Sequence, residues 1–237
     1  MDSIVVKEAN NSEDYKNRNM VHLCGKLVSK KRLQRDTLMM MVSCERKGTL
    51  NKDGEKVYRL IRVMFYDDAA EFYDNRFEVG DFVTVNGIAQ LIRNHYTGTS
   101  AVSIWGITMG PKYVDGRMIP DHNQVAILGK IDSAVALTKD YILLNVKTVV
   151  QKERKFLGQT KEASSITKEY TSVTPIGLRC NGNASELIKQ FTVGTHVNIV
   201  GFVDSRRMKI DETHTHIVNR VICNHIEIIG QSQPAAR

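Results

Sequence analysis

Asn19-Met20-Val21-His22-Leu23-Cys24-Gly25-Lys26-Leu27 returns as Asn123-Gln124-Val125-Ala126-Ile127-Leu128-Gly129-Lys130-Ile131. A second block, Phe77-Glu78-Val79-Gly80-Asp81-Phe82-Val83-Thr84-Val85-Asn86-Gly87, returns as Phe191-Thr192-Val193-Gly194-Thr195-His196-Val197-Asn198-Ile199-Val200-Gly201. Gly25 and Gly129 stand 104 positions apart, Gly87 and Gly201 114. Each block alternates apolar and polar residues and closes on a glycine, the pattern of a half-buried strand. A period of this size is too long for a solenoid repeat and describes one domain written twice.

Working outward, Val21–Leu27, Leu38–Val42 and Tyr58–Tyr66 read as three strands. Asp67–Arg76 reads as a short helix, with Asp67 and Asp68 at the end where unpaired N–H groups favour negative charge. Phe82–Leu91 and Ala101–Met109 read as two more strands. Lys30–Arg35 is a basic connection, and Gly48–Glu55 and Asn94–Ser100 are hairpin tips. Three strands, a helix and a closing hairpin are the element string of the OB-fold, a five-stranded Greek-key barrel. The second copy repeats it as Val125–Ile131, Tyr141–Val150, Val173–Cys180, helix Ala184–Gln190, Val197–Val203 and Ile217–Ile229. Its second hairpin carries a long loop, Gln151 to Thr171, which accounts for most of the change in offset. The expected division is a polar arm (1–17), a first barrel (18–112), a linker (113–121), a second barrel (122–230) and a short tail (231–237). The expected fold class is all-β: two tandem OB-folds with one short helix per repeat.

The 237 residues suffice for two domains, and 42% hydrophobic content gives each an ordinary core. The net charge of +7 suits an anionic partner without requiring one. Cys24, Cys44, Cys180 and Cys223 form no Cys-x-x-Cys pair and sit in strand-like runs, so they read as reduced, buried thiols. No apolar run approaches the ~18 residues that span a bilayer, and residues 1–19 lack a signal-peptide core. His214-Thr215-His216 and His225 lack a convincing set of further ligands, so no metal is expected. No phosphate-binding Gly-x-x-x-x-Gly-Lys-Ser/Thr run and no nucleophile–base set stands out. Neither an enzyme nor a cofactor is expected.

The opening motif, together with Phe65-Tyr66-Asp67-Asp68-Ala69-Ala70-Glu71-Phe72 and Val79–Gly87, resembles the bacterial-type single-stranded DNA-binding proteins, in a tandem two-barrel form. The resemblance covers both repeats. It implies binding of single-stranded DNA without base preference, in replication, recombination or repair. It also implies a homodimer, because family members usually assemble four barrels. The implied location is the bacterial cytoplasm or nucleoid, for a chain of host, phage or mobile-element origin. Two departures stand out. The chain ends Gln231-Ser232-Gln233-Pro234-Ala235-Ala236-Arg237 without an acidic tip, so partner recruitment through such a tail is not expected. Glu45-Arg46-Lys47 stands where the family often carries an aromatic residue at the end of the second strand.

Holding single strands takes cations that follow phosphates and flat side chains that stack on bases. If Ile61, Val63 and Phe65 fill the barrel, alternation puts Tyr58, Arg62 and Tyr66 on its outer face; the other register would bury Arg62. Tyr66 falls where the resemblance implies a base-stacking phenylalanine. Lys47, Lys52 and Lys56 line the first tip. Arg93, His95 and Tyr96 line the second, where Asn94 is the nearest match to a family tryptophan. Trp105 reads as core or interface. In the second repeat the candidates are Lys152, Arg154, Lys155 and Phe156 in the long loop, Arg179 on the third strand, and Arg206, Arg207 and Lys209 at the last hairpin. Phe156 could stack on a base or tuck under its own loop. The expected asymmetry is stacking from the first barrel and charge from the second. Two other classes fit the same residues: a barrel scaffold used for assembly, and a binder of single-stranded RNA.

Overall fold

The computed structural model describes residues 3–6, 17–34, 36–93, 100–114, 116–155, 165–209 and 215–230; for some strand residues near the tips only the backbone is described. In chain order the elements are β1 (Ser3–Val6), β2 (Arg18–Gln34), β3 (Thr37–Leu50), β4 (Lys56–Tyr66), α1 (Asp67–Arg76), β5 (Phe82–Arg93) and β6 (Ser100–Pro111). There follow β7 (Tyr113–Val114), β8 (Arg117–Met118), β9 (His122–Thr138), β10 (Tyr141–Lys155), β11 (Ser165–Arg179), α2 (Ala184–Leu187), β12 (His196–Lys209) and β13 (Thr215–Gly230).

The first barrel closes through β2–β3–β4, a parallel β4–β6 contact at Val63↔Ile104, then β6–β5 and β5–β2. The second closes through β9–β10–β11, a parallel β11–β13 contact at Ile176↔Val221, then β13–β12 and β12–β9. This is the five-stranded OB topology twice over. Val21, Leu23, Ile61, Val63, Phe65, Val83 and Val85 fill one interior; Val125, Ile127, Ile142, Leu144, Ile176, Leu178, Val197 and Ile199 fill the other. The four cysteines are buried. Burial raises the pKa of Cys24 and Cys44, so these two thiols stay protonated and unreactive.

The repeated glycines mark close backbone approaches. A Cβ on Gly87 would lie 2.3 Å from the Trp105 carbonyl oxygen, and one on Gly201 would lie 2.1 Å from that of Ile222. Both sit at register shifts that bend the strand around the barrel. The repeated asparagines have an equally specific role. Beyond Val21↔Gly87 strands β2 and β5 separate, and Asn19 bridges the gap: its Nδ2 donates to the Ala89 carbonyl at 2.7 Å and its Oδ1 accepts from the Ala89 N–H at 3.0 Å. Asn123 does the same for Val203, at 2.7 and 2.9 Å. Each amide continues a backbone ladder with side-chain atoms. The Ala89 carbonyl also accepts from Thr174 Oγ1 at 2.7 Å. Asn123→Ala therefore lowers stability by about 1–3 kcal/mol, as urea midpoints will read.

The halves meet across an approximate two-fold axis. Strands β2 and β9 pair antiparallel, and Val21 faces Val125, its own counterpart in the repeat. Asn219 clamps the backbone of Arg62, donating to its carbonyl at 2.8 Å and accepting from its N–H at 3.2 Å. Asp204, whose side chain is 4% exposed, holds Arg59 Nε at 3.0 Å from across the interface and also binds Arg220. Burial alone would raise the Asp204 pKa. The two guanidinium groups and the Ser205 N–H outweigh it and bring it below the ordinary aspartate value.

Several expected boundaries differ. The basic connection at Lys30–Arg35 is largely strand, since β2 runs to Gln34. Two of its cations are held at the C-terminal end of α1 and just beyond it: Lys30 Nζ donates to the carbonyls of Asp74 at 2.8 Å and Phe77 at 3.0 Å and meets Glu78 at 3.1 Å, while Arg32 pairs with Asp74 at 3.2 Å. The expected loop Gln151–Thr171 is mostly hairpin arm: β10 continues to Lys155, and β11 begins at Ser165 rather than Val173. The β-branched run Thr148-Val149-Val150 and the stretch Tyr170–Val173 favour extended pairing past the barrel rim. Likewise Arg206–Lys209 is the end of β12 rather than a tip. The second helix has one α-turn followed by a 3-10 turn at Ile188–Gln190. The segment joining the barrels contains the small β7–β8 hairpin, and its Lys112 is buried, paired with Asp121 and set over the Phe82 ring at 5.2 Å.

Candidate nucleic-acid interface

Strand β4 builds the richest face of the first barrel. Ile61, Val63 and Phe65 are fully buried, which sends Tyr58, Arg62 and Tyr66 outward together. The Asp67 N–H donates to the Asp36 carbonyl at 2.9 Å, and Asp67 takes a φ of 54° to turn the chain from strand into helix. That turn fixes Tyr66 at the end of the face. Tyr58 is 50% exposed at the other end. Arg62 sits between them, more than half buried, with its Nε lacking any hydrogen-bond partner among the described residues. Burial lowers the Arg62 pKa, yet a guanidinium remains charged at neutral pH. That Nε is itself buried, so the part of Arg62 that faces outward between the two tyrosines is a cationic guanidinium and not an open donor site.

Trp105 belongs to this face. It pairs with Met64 across the parallel β4–β6 contact, and its ring meets Tyr66 edge-on, centroids 5.8 Å apart and planes at 88°. The ring is partly exposed. The reading of Trp105 as core or interface missed this, although the signal was present: with Ile104 fully buried, alternation turns Trp105 outward. Burial raises the Tyr66 pKa, partly offset by Arg62, so its ring is neutral at physiological pH.

At the tips, two of the six expected side chains are described. Lys52 is exposed in a turn held by Asn51, whose Oδ1 accepts from the N–H groups of Asp53 at 2.9 Å and Glu55 at 2.8 Å. Lys56 is paired with Glu45 at 2.9 Å. Lys47 and Arg93 lie on strand ends where only the backbone is described; His95 and Tyr96 fall outside the described residues.

The second barrel presents different chemistry at equivalent positions. Matching the parallel contacts Met64↔Trp105 and Gly177↔Ile222 places Gly177 at the position of Met64, Ile222 at that of Trp105, and Arg179 at that of Tyr66. Arg179 is exposed. One ring does reach this face: a Cβ on Gly177 would meet the Tyr141 hydroxyl, so the tyrosine lies over the glycine. A glycine inside a strand is the usual sign of such an approach, and Gly177 was that sign. Arg206 and Arg207 are exposed and adjacent, so alternation points them to opposite sides of β12. Lys152, Arg154 and Lys155 lie on the far arm of β10 and Lys209 ends β12, with backbone only described; Phe156 lies outside. Among the described residues no three His, Cys, Asp or Glu side chains converge as a metal site, and no helix is long and apolar enough to cross a membrane.

No family model matches the sequence, and no curated protein matches it. Solved structures do match the fold. The wild-type single-stranded DNA-binding protein from Thermus aquaticus superposes with a TM-score of 0.60 at 14% identity, covering 94% of this chain and 98% of that one. A deletion mutant of the same protein gives 0.58 at 15% identity, covering 94% and 99%. The likeness extends over both barrels and shows that the chain shares the tandem OB architecture of those structures.

Proposed function

We propose that this chain binds single-stranded DNA without base specificity and protects it during replication, recombination or repair, with no chemical step. The observation that carries the reading is the outer face of β4, where Tyr66 and Trp105 offer flat surfaces beside the cationic guanidinium of Arg62. Rings supply sequence-tolerant stacking and the cation supplies counterion release. The fold likeness to a protein named for single-stranded DNA binding supports the same reading. The working units are residues 18–112 and 122–230. The functional particle is a homodimer with four barrels, acting in the cytoplasm, where buried reduced thiols are at home. At ~4–16 nucleotides per OB-fold, one chain covers on the order of ten to thirty.

The test is fluorescence anisotropy of a labelled oligo-dT across a salt series, beside a duplex and an oligo-U of matched length. The expected result is tight dT binding that weakens with salt, and far weaker binding of the duplex. Preference for oligo-U would transfer the reading to RNA. No binding of any ligand at low salt would leave the assembly-scaffold reading, with the basic residues serving solubility.

A further inference from the structure

A cleft of about 450 Å³ separates the first barrel's β3 arm from the wall of the second barrel. Its lining includes Arg179 and Ile222, which stand at the strand positions of Tyr66 and Trp105 in the first barrel. Arg46 reaches in from the first barrel and lies 5.7 Å from the centroid of the Phe202 ring of the second. Arg179 lines the opposite barrel's contribution. Neither arginine makes an ion pair among the described residues, whereas the lining carboxylate, Glu45, is already paired with Lys56. The cleft therefore carries uncompensated positive charge, a ring, and the exposed amides of Gln124 and Asn224.

We infer that this inter-barrel cleft holds one nucleotide of a bound single strand, its phosphate between Arg46 and Arg179 and its base against the layer formed by Phe202 and the Arg46 guanidinium. The inference rests on the single-strand reading and adds a crossing point between the barrels. Guanidinium groups bind phosphate oxygens in a forked geometry and offer bases a plane for stacking. An amide carries a donor and an acceptor, so Asn224 can serve the edge of any base without selecting one, and Gln124, whose Oε1 meets His122 Nε2 at 2.9 Å, keeps its amino group as a donor. The site exists only because the barrels are docked: neither half alone contains both arginines.

The test uses the full chain with oligo-dT carrying a photoreactive thymine analogue, cross-linked at saturation and mapped by mass spectrometry. A cross-link at Phe202 is expected, and its loss in the Arg46→Ala/Arg179→Ala variant while Trp105 still cross-links. The same variant flattens the salt dependence by about 0.7 in log–log slope, the value for the one phosphate it no longer neutralises, and the lysine double variant restores the slope. Neither arginine has an ionic partner to lose among the described residues, and the urea midpoint of the variant separates any loss of the Arg46–Phe202 contact from the loss of binding. Wild-type chain that binds dT without a Phe202 cross-link, or an unchanged slope in the alanine variant, overturns the cleft and leaves the single-strand reading intact. Failure of the wild type to bind dT at all overturns both. Millimolar dTMP should leave the Phe202 cross-link in place; if it abolishes the cross-link while the oligonucleotide stays bound, the cleft holds free nucleotide and not the strand.

Discussion

Replacing Tyr66 and Trp105 together with alanine lowers the affinity for oligo-dT by at least about 30-fold. The magnitude follows from stacking worth ~1–3 kcal/mol per base, with tenfold in affinity for each ~1.4 kcal/mol. The two rings touch at 5.8 Å, so the single variants will not sum to the double: removing Trp105 also frees Tyr66 from its edge contact. Tyr66→Phe keeps most of the affinity, because the neutral ring and not the hydroxyl does the stacking. Trp105 is the only tryptophan in the chain, so its own fluorescence reports the contact. Titration with oligo-dT should quench it, and Arg62→Ala should weaken binding without abolishing the quench at saturation. A double variant that binds within threefold of the wild type would remove β4 from the interface. Fold integrity is checked by the urea midpoint, since both positions lie outside the barrel interior and the close approach at Gly87 uses the Trp105 backbone only.

The same residues show what could be read from the chain and what could not. The β4 face was legible because it depends on local alternation: once Ile61, Val63 and Phe65 point inward, Tyr58, Arg62 and Tyr66 have one direction left. Trp105 and Tyr141 were legible in principle, one from its buried neighbour Ile104 and the other from the strand glycine it covers. The Asn-x-Val motif was recognised before its reason was visible; the two asparagines finish a backbone ladder that has run out of backbone. By contrast, the pairing of Lys30 and Lys56 depends on Glu78, Asp74 and Glu45 arriving from other elements. The Arg46–Phe202 layer depends on how two barrels dock, fixed by contacts such as Asn219 with Arg62 at a separation of 157 residues. No periodicity in a single strand encodes such a meeting.

Asp204 carries the charged part of that docking, and Asp204→Ala should cost about 2–4 kcal/mol, somewhat below the 3–5 seen when a fully buried pair loses one member. The carboxylate is almost wholly enclosed, while the side chains of Arg59 and Arg220 are 34% and 27% exposed and can recover some hydration. Two guanidinium groups would nonetheless face each other across the seam with nothing between them. The pH dependence follows from the lowered pKa of Asp204. A carboxylate whose folded-state pKa lies below its unfolded value of ~3.9 contributes stability that is complete above that unfolded value. The contribution is lost as pH falls through the folded value, where both states are protonated. The stability gap between wild type and Asp204→Asn should therefore be constant from pH 7 to pH 5 and close progressively below about pH 4. Urea midpoints of both proteins across that range measure it. A gap that persists undiminished at the acid end would mean that Asp204 acts through shape and not through charge. In that case Arg59 would be held across the seam by packing of its stem rather than by the carboxylate.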